Sequence, residues 1–358
     1  MAKTNSIADI LLHWHTTIDR NMPWKQTKDP YKIWLSEIIL QQTRVAQGQP
    51  YYLRFVDEYP TVADLAAASL DEVLNLWQGL GYYSRARNMH AAAQHVVDHH
   101  GGVFPSTYEE VIALKGVGKY TAAAIMSFAY GERYPVVDGN VLRVISRLYG
   151  ILDAIDDSKT INKIYELSDA IIKHADPAKY NQAVMDAGAT MCTPKQPRCS
   201  ICPLQNICVA YKKGLTADIP YKAKKVKKRT RHFHYLHLYD EYDSIVLRHR
   251  QGAGIWQGLY DMPLVEKDTE GYLTDSEIET EAIVATGGTP LIEVIYPSKV
   301  YKHLLTHQLI YARFYRVKVQ KLSHSAEGLY TVSKAELSKY AMPVLLTNYL
   351  SDSDITLF

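Results

Sequence analysis

Leu114-Lys115-Gly116-Val117-Gly118-Lys119-Tyr120-Thr121 separates two stretches of helical patterning, and its reading decides the fold of the first half of the chain. The glycines permit a tight backbone turn that can approach another molecule closely. The helix that follows opens on small residues, Thr121 to Ala124, and its N-terminus offers free N–H groups and a positive dipole end to a phosphate. Many helix–helix turns need glycine, so a lone Gly-x-Gly would be weak. The longer Leu-x-Gly-Val-Gly-Lys string ahead of a small-residue helix is more specific, and it makes Gly116, Gly118 and Lys119 candidate phosphate contacts.

Outward from this hairpin, from Ile7 to about Tyr211, apolar residues recur at helical spacing, as in Val73, Leu74, Leu76, Trp77 and Leu80. An all-α domain over residues 1–220 is expected. Lys222, Lys224, Lys225, Lys227, Lys228, Arg229 and Arg231 then form a basic run without an acid, which reads as a linker over 221–231, either solvated or facing DNA. Beyond it the period changes to two, in His232 to Tyr239, Ser244 to Arg248 and Val300 to Val319, with a helix near Ser276 to Thr286. Residues 232–358 are therefore expected to form an α+β domain. His232, His234 and His237 follow one another along its first strand, as if on one face, without a Cys or carboxylate pattern that would make them a metal site.

The composition agrees with two cores. The chain has 358 residues, 47% hydrophobic and 22% charged, near the globular average and too long for one ordinary domain. Tyr120 to Gly131, the longest uncharged run that could be a span, is too short to cross a membrane, and Met1 to Asp19 lacks an export pattern. A soluble chain is expected, cytoplasmic and, in a bacterium, nucleoid-associated. The net charge of +2 excludes little, because phosphate binding depends on where charge lies.

Cys192, Cys199, Cys202 and Cys208 are the only cysteines and fall within one loop as C-x6-C-x2-C-x5-C. Ligation explains the clustering better than disulfides or unrelated thiols. Four thiolates suit zinc or an iron–sulfur cluster, and a single C-x2-C pair leans towards the cluster. Lys195 and Arg198 lie between the first two cysteines, where solvated charge and phosphate contact are equal readings.

Two carboxylates stand out. Glu37 interrupts the apolar run Ile33-Trp34-Leu35-Ser36-Glu37-Ile38-Ile39-Leu40. Such a residue ordinarily marks the solvated stripe of a helix. Facing a dry pocket instead, it would hold a proton at neutral pH, as a general acid must. Asp138 precedes the helical pattern that starts at Gly139, so it reads as an N-cap, and equally as the second carboxylate of a pair that cleaves a glycosidic bond.

These motifs together resemble a known family. Asp29-Pro30-Tyr31-x-Ile33-Trp34-x-Ser36-Glu37-Ile38, Leu40-Gln41-Gln42-Thr43, Gly79 to Asn88, the hairpin, Val137-Asp138-Gly139-Asn140-Val141 and the four cysteines resemble adenine DNA glycosylases of the MutY type, within the endonuclease III superfamily. The resemblance covers nearly all of residues 8 to 210. It implies a helix-hairpin-helix fold with a 4Fe-4S cluster on Cys192, Cys199, Cys202 and Cys208. The implied substrate is adenine mispaired with 8-oxoguanine or guanine in double-stranded DNA, bound by a monomer. It implies catalysis by Glu37 and Asp138 with help from Tyr120 and Asn140, entry of Gln42 and Tyr82 into the base stack, and an adenine pocket that includes Trp24, Lys25 and Gln182. Tyr120 stands where bifunctional relatives carry a lysine nucleophile, so no strand-cleaving lyase step is expected. Lys115 replaces a usual proline and Lys25 a usual arginine.

The C-terminal half resembles a Nudix-like domain more weakly, through Gly254 to Pro263 and Lys302-His303-Leu304-Leu305-Thr306-His307. Glu277, Glu279 and Glu281 do not reproduce the spacing of a Nudix metal helix, so binding without hydrolysis is implied. Leu305, Thr306 and His307 are the implied lesion-reading residues. Leu305 stands where relatives commonly have an aromatic wedge.

Overall fold

The computed structural model describes residues 6–173, 175–223, 227–295, 297–322 and 327–352. Lys224 and Lys225 of the basic run lie outside the described residues. By contacts the chain divides into two units, one of residues 1–67 and 91–225, the other of residues 68–90 and 226–358.

The first unit is helical, as its periodicity predicts. The chain order is α1 (Ile7–His15), α2 (Pro30–Leu40), α3 (Val45–Glu58), α4 (Val62–Ala67), α5 (Leu70–Leu76), α6 (Ser84–His100), α7 (Tyr108–Ala113), α8 (Lys119–Tyr130), α9 (Gly139–Tyr149), α10 (Ser158–Ile172), α11 (Pro177–Thr190) and α12 (Val209–Lys212). Of these, α5 and the start of α6 belong to the second unit. Asp29 starts α2 by accepting from the Tyr31 N–H at 3.0 Å, with Pro30 at the first helical position, where its missing donor costs nothing. Every residue of α2 from Ile33 to Ile39 is buried, so this helix has no solvated stripe, and Glu37 is only 7% exposed. Burial thus replaces the ordinary surface reading of that glutamate.

The expected hairpin joins α7 to α8. The Val117 N–H donates to the Leu114 carbonyl at 3.0 Å, and Gly116 takes φ 83°, the left-handed value required at the third position of a type II turn. Gly118 caps α8, whose buried stretch Thr121 to Ser127 uses small side chains to pack closely. Asp138 caps α9, accepting from Val141 N–H at 2.7 Å. Around α1, α9, α10 and α11 an apolar core gathers Leu11, Val144, Ile145, Leu148, Ile164, Tyr180 and Val184. A side chain at Gly188 would place its Cβ 2.5 Å from Asn140 Cβ, so glycine is what lets α11 lie against the start of α9.

The second unit is built on a mixed sheet of β1 (Arg229–Tyr239), β2 (Ser244–His249), β3 (Tyr260–Asp261), β4 (Leu264–Lys267), β5 (Leu291–Ile295), β6 (Tyr301–Leu304), β7 (Gln308–Val319) and β8 (Leu329–Ser333). The strand path is β3-β2-β1-β7-β5, with β4 also paired to β1, β6 to β7 and β8 to β2. The β1 and β7 strands run parallel from Arg229 opposite Gln308 to Tyr239 opposite Lys318, and the other pairs are antiparallel. The helices α13 (Asp275–Thr286) and α14 (Val344–Leu350) complete it. Leu236, Leu238, Val246, Ile278, Tyr315 and Val317 form one core.

Three details differ from the sequence reading. The first strand starts at Arg229, inside the stretch read as linker, because Arg231 bonds Glu266 at 2.7 Å and Gln308 at 2.9 Å across the sheet. The three histidines do not share a face. His234 bonds the Tyr315 hydroxyl, whereas His237, an odd number of residues further on, lies on the opposite face and bonds Tyr349. Residues 68–90 also group with the C-terminal residues. Tyr260 Oη donates to Asp71 at 3.0 Å, Asn75 to the Ser338 carbonyl at 2.8 Å, the Met342 N–H to Gln78 at 3.1 Å, and Arg87 to the Gln257 carbonyl at 2.6 Å.

Candidate active site and cluster loop

In the first unit α2, α8, α9, α11 and the short turn Pro23–Gln26 enclose a cavity of ≈ 780 Å³. Trp24, Lys25, Glu37, Tyr120, Asp138, Asn140 and Gln182 all line it. The hairpin sets Tyr120 at the second position of α8, and its hydroxyl donates to Glu37 Oε2 at 2.7 Å. Burial, opposed by that hydrogen bond and reinforced by the negative charge of Asp138, pushes the Glu37 carboxyl up to about 7. Glu37 is therefore able to give up and take back a proton near neutrality, the property a general acid and base requires. Burial, then the neighbouring Glu37 and Asp138, holds the Tyr120 phenol well above its ordinary range, so it stays a neutral donor.

Asp138 is both cap and cavity wall. Its Oδ1 accepts from the Val141 N–H at 2.7 Å and its Oδ2 from Asn140 Nδ2 at 2.6 Å. Burial raises its pKa against these hydrogen bonds and against the nearby Arg143. Arg143 in turn donates to Asn140 Oδ1 at 2.9 Å, to the Gly188 carbonyl at 2.6 Å and to the Cys192 carbonyl at 2.6 Å. One guanidinium thus ties the asparagine beside Asp138 to the cysteine loop.

That loop wraps the end of α9. Arg147, 2% exposed, donates to the carbonyls of Ile219, Thr193 and Pro194, and to Cys192 Sγ at 3.3 Å. Cys208 Sγ donates to the Arg147 carbonyl at 3.4 Å. Burial, opposed by a Leu204 backbone hydrogen bond, and then the charges of Cys192, Cys208 and Cys199 push the Cys202 thiol up to about 11, so the other three sulfurs lie near enough to act on it. A 4Fe-4S cluster takes one thiolate to each iron, and four cysteines in one short loop supply that donor set, so these residues fit the group.

Comparison with known proteins agrees with this donor set. Residues 35–169 match the HhH-GPD superfamily of base excision DNA repair proteins, residues 192–208 the iron-sulfur binding domain of endonuclease III, and residues 234–352 the NUDIX domain. An adenine DNA glycosylase of Buchnera aphidicola subsp. Baizongia pistaciae is 34% identical over 318 residues, spanning 87% of this chain and 86% of its own. The chain belongs to the adenine DNA glycosylase family. The human adenine DNA glycosylase is 42% identical over 221 residues, 59% of this chain and 40% of its own. Among solved structures, a thermostable thymine-DNA glycosylase shares the fold with a TM-score of 0.53 and 29% identity, over 57% of this chain and 95% of its own. This glycosylase is accordingly a DNA N-glycosylase of base excision repair that carries a 4Fe-4S cluster.

The remaining expected contacts of the glycosylase are exposed. Gln42 and Tyr82 both hold left-handed backbone, φ 55° and 46°, a conformation that costs energy in a side-chain-bearing residue. Lys195 and Arg198 face solvent, while Lys119 Nζ sits 3.8 Å from the centroid of the Tyr165 ring. In the second unit, Leu305, Thr306 and His307 form the tip of the β6–β7 hairpin, closed by the Leu305 N–H on the Gln308 carbonyl at 2.8 Å. Thr306 and His307 are exposed and Leu305 half-buried. The Thr306 hydroxyl pairs with the Tyr82 hydroxyl.

Sequence reasoning missed Arg143, Gly188 and Asp186. Arg143 and Arg147 carried a signal, two cations one turn apart in the apolar helix Val141–Leu148 that precedes the cysteines. Asp186 lies one turn after Gln182 and so shares its helix face, a relation visible in the sequence.

Proposed function

We propose that this enzyme excises adenine paired with 8-oxoguanine or guanine in duplex DNA, acting as a monofunctional glycosylase and a monomer in the cytoplasm, on nucleoid DNA where the host is a bacterium. The observation that carries the reading is the buried Glu37, hydrogen-bonded by Tyr120 at the wall of the cavity and poised to about 7. A target base cannot reach such a cavity from within the stack, so the adenine must be extruded. Gln42 and Tyr82 fill the gap, and the backbone at Gly116, Gly118 and Lys119 holds phosphates, with Lys195 and Arg198 adding charge.

In the cavity Glu37 gives its proton to adenine N7. The N-glycosidic electron pair then passes to the purine, and the sugar becomes cationic. The Asp138 carboxylate, held by Asn140, stabilises that cation. Glu37, now ionised, takes a proton from the water that adds to the sugar, which returns the enzyme to its starting state and leaves an abasic site. Tyr120 orients Glu37 throughout and cannot form a Schiff base, because a neutral phenol has no amine. Thr306 and His307 read the opposite 8-oxoguanine from their exposed hairpin.

Single-turnover base release from A:8-oxoguanine, A:G and thymine glycol duplexes, with and without alkali, tests the reading. Adenine release from the first two, with strand cleavage only after alkali, is expected. Cleavage of thymine glycol duplex, or strand scission without alkali, refutes it. Tyr120→Lys should introduce some alkali-independent cleavage if the position is rightly assigned.

A further inference from the structure

Asp186 on α11 is a carboxylate buried to 1% exposure that holds three basic side chains at once. Its Oδ2 is 2.7 Å from Lys25 Nζ and 2.9 Å from His15 Nε2, and its Oδ1 is 2.6 Å from Arg20 Nη1. All four residues line the cavity that contains Glu37. Lys25 Nζ also donates to the Arg20 carbonyl at 3.0 Å. An ammonium has three donors, so two of them are spent on Asp186 and Arg20, and one remains for the cavity. Burial works against the charge on Lys25, and Asp186 works for it. A lysine side chain is otherwise flexible, and a long stem needs such a tether before it can act as a directed donor.

We propose that Asp186 is a positioning residue that fixes the Lys25 ammonium as hydrogen-bond donor to a ring nitrogen of the extruded adenine, N1 or N3. The inference rests on the reading that adenine occupies this cavity with N7 towards Glu37, which leaves N1 and N3 as the ring acceptors. A fixed donor on that side selects the base by its acceptors, and towards N1 it opposes guanine, whose N1 carries a hydrogen. His15 and Arg20 complete the grip on Asp186, so both of its oxygens are held by basic side chains before any base enters.

The test compares Asp186→Asn, Lys25→Met and the double variant in the full-length holoenzyme, by single-turnover base release from A:8-oxoguanine duplex. Asp186→Asn should slow release roughly ten- to a hundredfold, the range for one directed hydrogen bond to a charged group. Affinity for the abasic product duplex, which lacks the base, should change by about twofold or less. The double variant should be no slower than Lys25→Met, because Asp186 acts through Lys25. With 1-deazaadenine or 3-deazaadenine as target, the penalty of Asp186→Asn should vanish on whichever analogue lacks the nitrogen that is read. Multiplying penalties in the double variant, an undiminished penalty on both analogues, or full activity of Asp186→Asn overturns the inference. Should Asp186→Asn fail to retain iron, Lys25→Met with the same product-affinity and analogue measurements decides it. Glu37→Gln serves as the control. If it is inactive while Asp186→Asn is not impaired, only this inference falls. If it is active, the reading of the cavity falls first.

Discussion

Replacing Glu37 by glutamine should make the protein more stable at alkaline pH while abolishing base release. The carboxyl ionises near 4.5 when exposed and near 7 in the folded protein, because burial outweighs the Tyr120 hydrogen bond. Between those values the folded chain retains a proton that the unfolded chain has lost. The favourable contribution of the neutral acid is therefore complete below about pH 4.5 and is lost as the pH rises through 7. A gap of about 2.5 units is worth roughly 3 kcal/mol above pH 7 and about 1 kcal/mol at pH 5. Glutamine never ionises, so the variant escapes that loss while still accepting the Tyr120 hydroxyl on its amide oxygen. Denaturant unfolding of both proteins at pH 5, 6, 7 and 8 should show their stability difference moving in favour of the variant by about 2 kcal/mol or more from pH 5 to 8. Any fixed cost of burying the amide shifts all four points equally and drops out. Parallel stability curves would refute the reasoning, since they would mean that Glu37 ionises alike in both states.

Tyr120→Phe removes a hydrogen bond that lowers the Glu37 pKa, so the alkaline limb of single-turnover base release should move up by about one pH unit or less. A limb that stays in place or moves down would contradict the proton-donor role of Glu37. Metal analysis of the purified protein should give about four irons per chain and no stoichiometric zinc; one tightly bound zinc in their place would overturn the cluster assignment. Thr306→Ala should lower the preference for A:8-oxoguanine over A:G roughly tenfold, and equal selectivity in variant and parent would remove Thr306 from lesion reading. Truncation near residue 225 should cost stability as well as selectivity, because it strips Asp71, Asn75, Gln78 and Arg87 of their partners, and thermal unfolding beside the Thr306→Ala measurement separates the two effects.

Much of the helical half was legible because its signals are local. The Gly116 turn, the Asp138 cap and the change of period after Pro220 each depend on a few neighbouring residues. The cluster loop was legible for another reason, since all four ligands share one short segment. What the sequence could not show is which side of a helix is dry. Glu37 looked like a surface residue by every local rule and is buried because α2 is enclosed on all sides, a property of its neighbours and not of its own pattern. The grouping of Ala68 to His90 with the C-terminal sheet was equally invisible, for its hydrogen bonds join residues more than 160 positions apart.

The two readings of Asp138, the observed helix cap and the proposed catalytic carboxylate, are compatible. As a cap it has its Oδ1 fixed by the Val141 N–H, and Asn140 fixes its Oδ2. Each oxygen keeps a further lone pair, so the group is immobile without being spent. Those hydrogen bonds, the helix N-terminus and Arg143 all favour its ionised form and limit the rise in pKa that burial imposes, which suits the proposed stabilisation of a developing sugar cation. Glu37 has one hydrogen bond, from Tyr120, and sits in the middle of a buried helix, where nothing comparable offsets desolvation. The same cavity therefore holds two carboxyls that burial pushes up, Glu37 to about 7 against the Tyr120 hydrogen bond and Asp138 against several opposing groups, and the difference lies in where each falls on its helix.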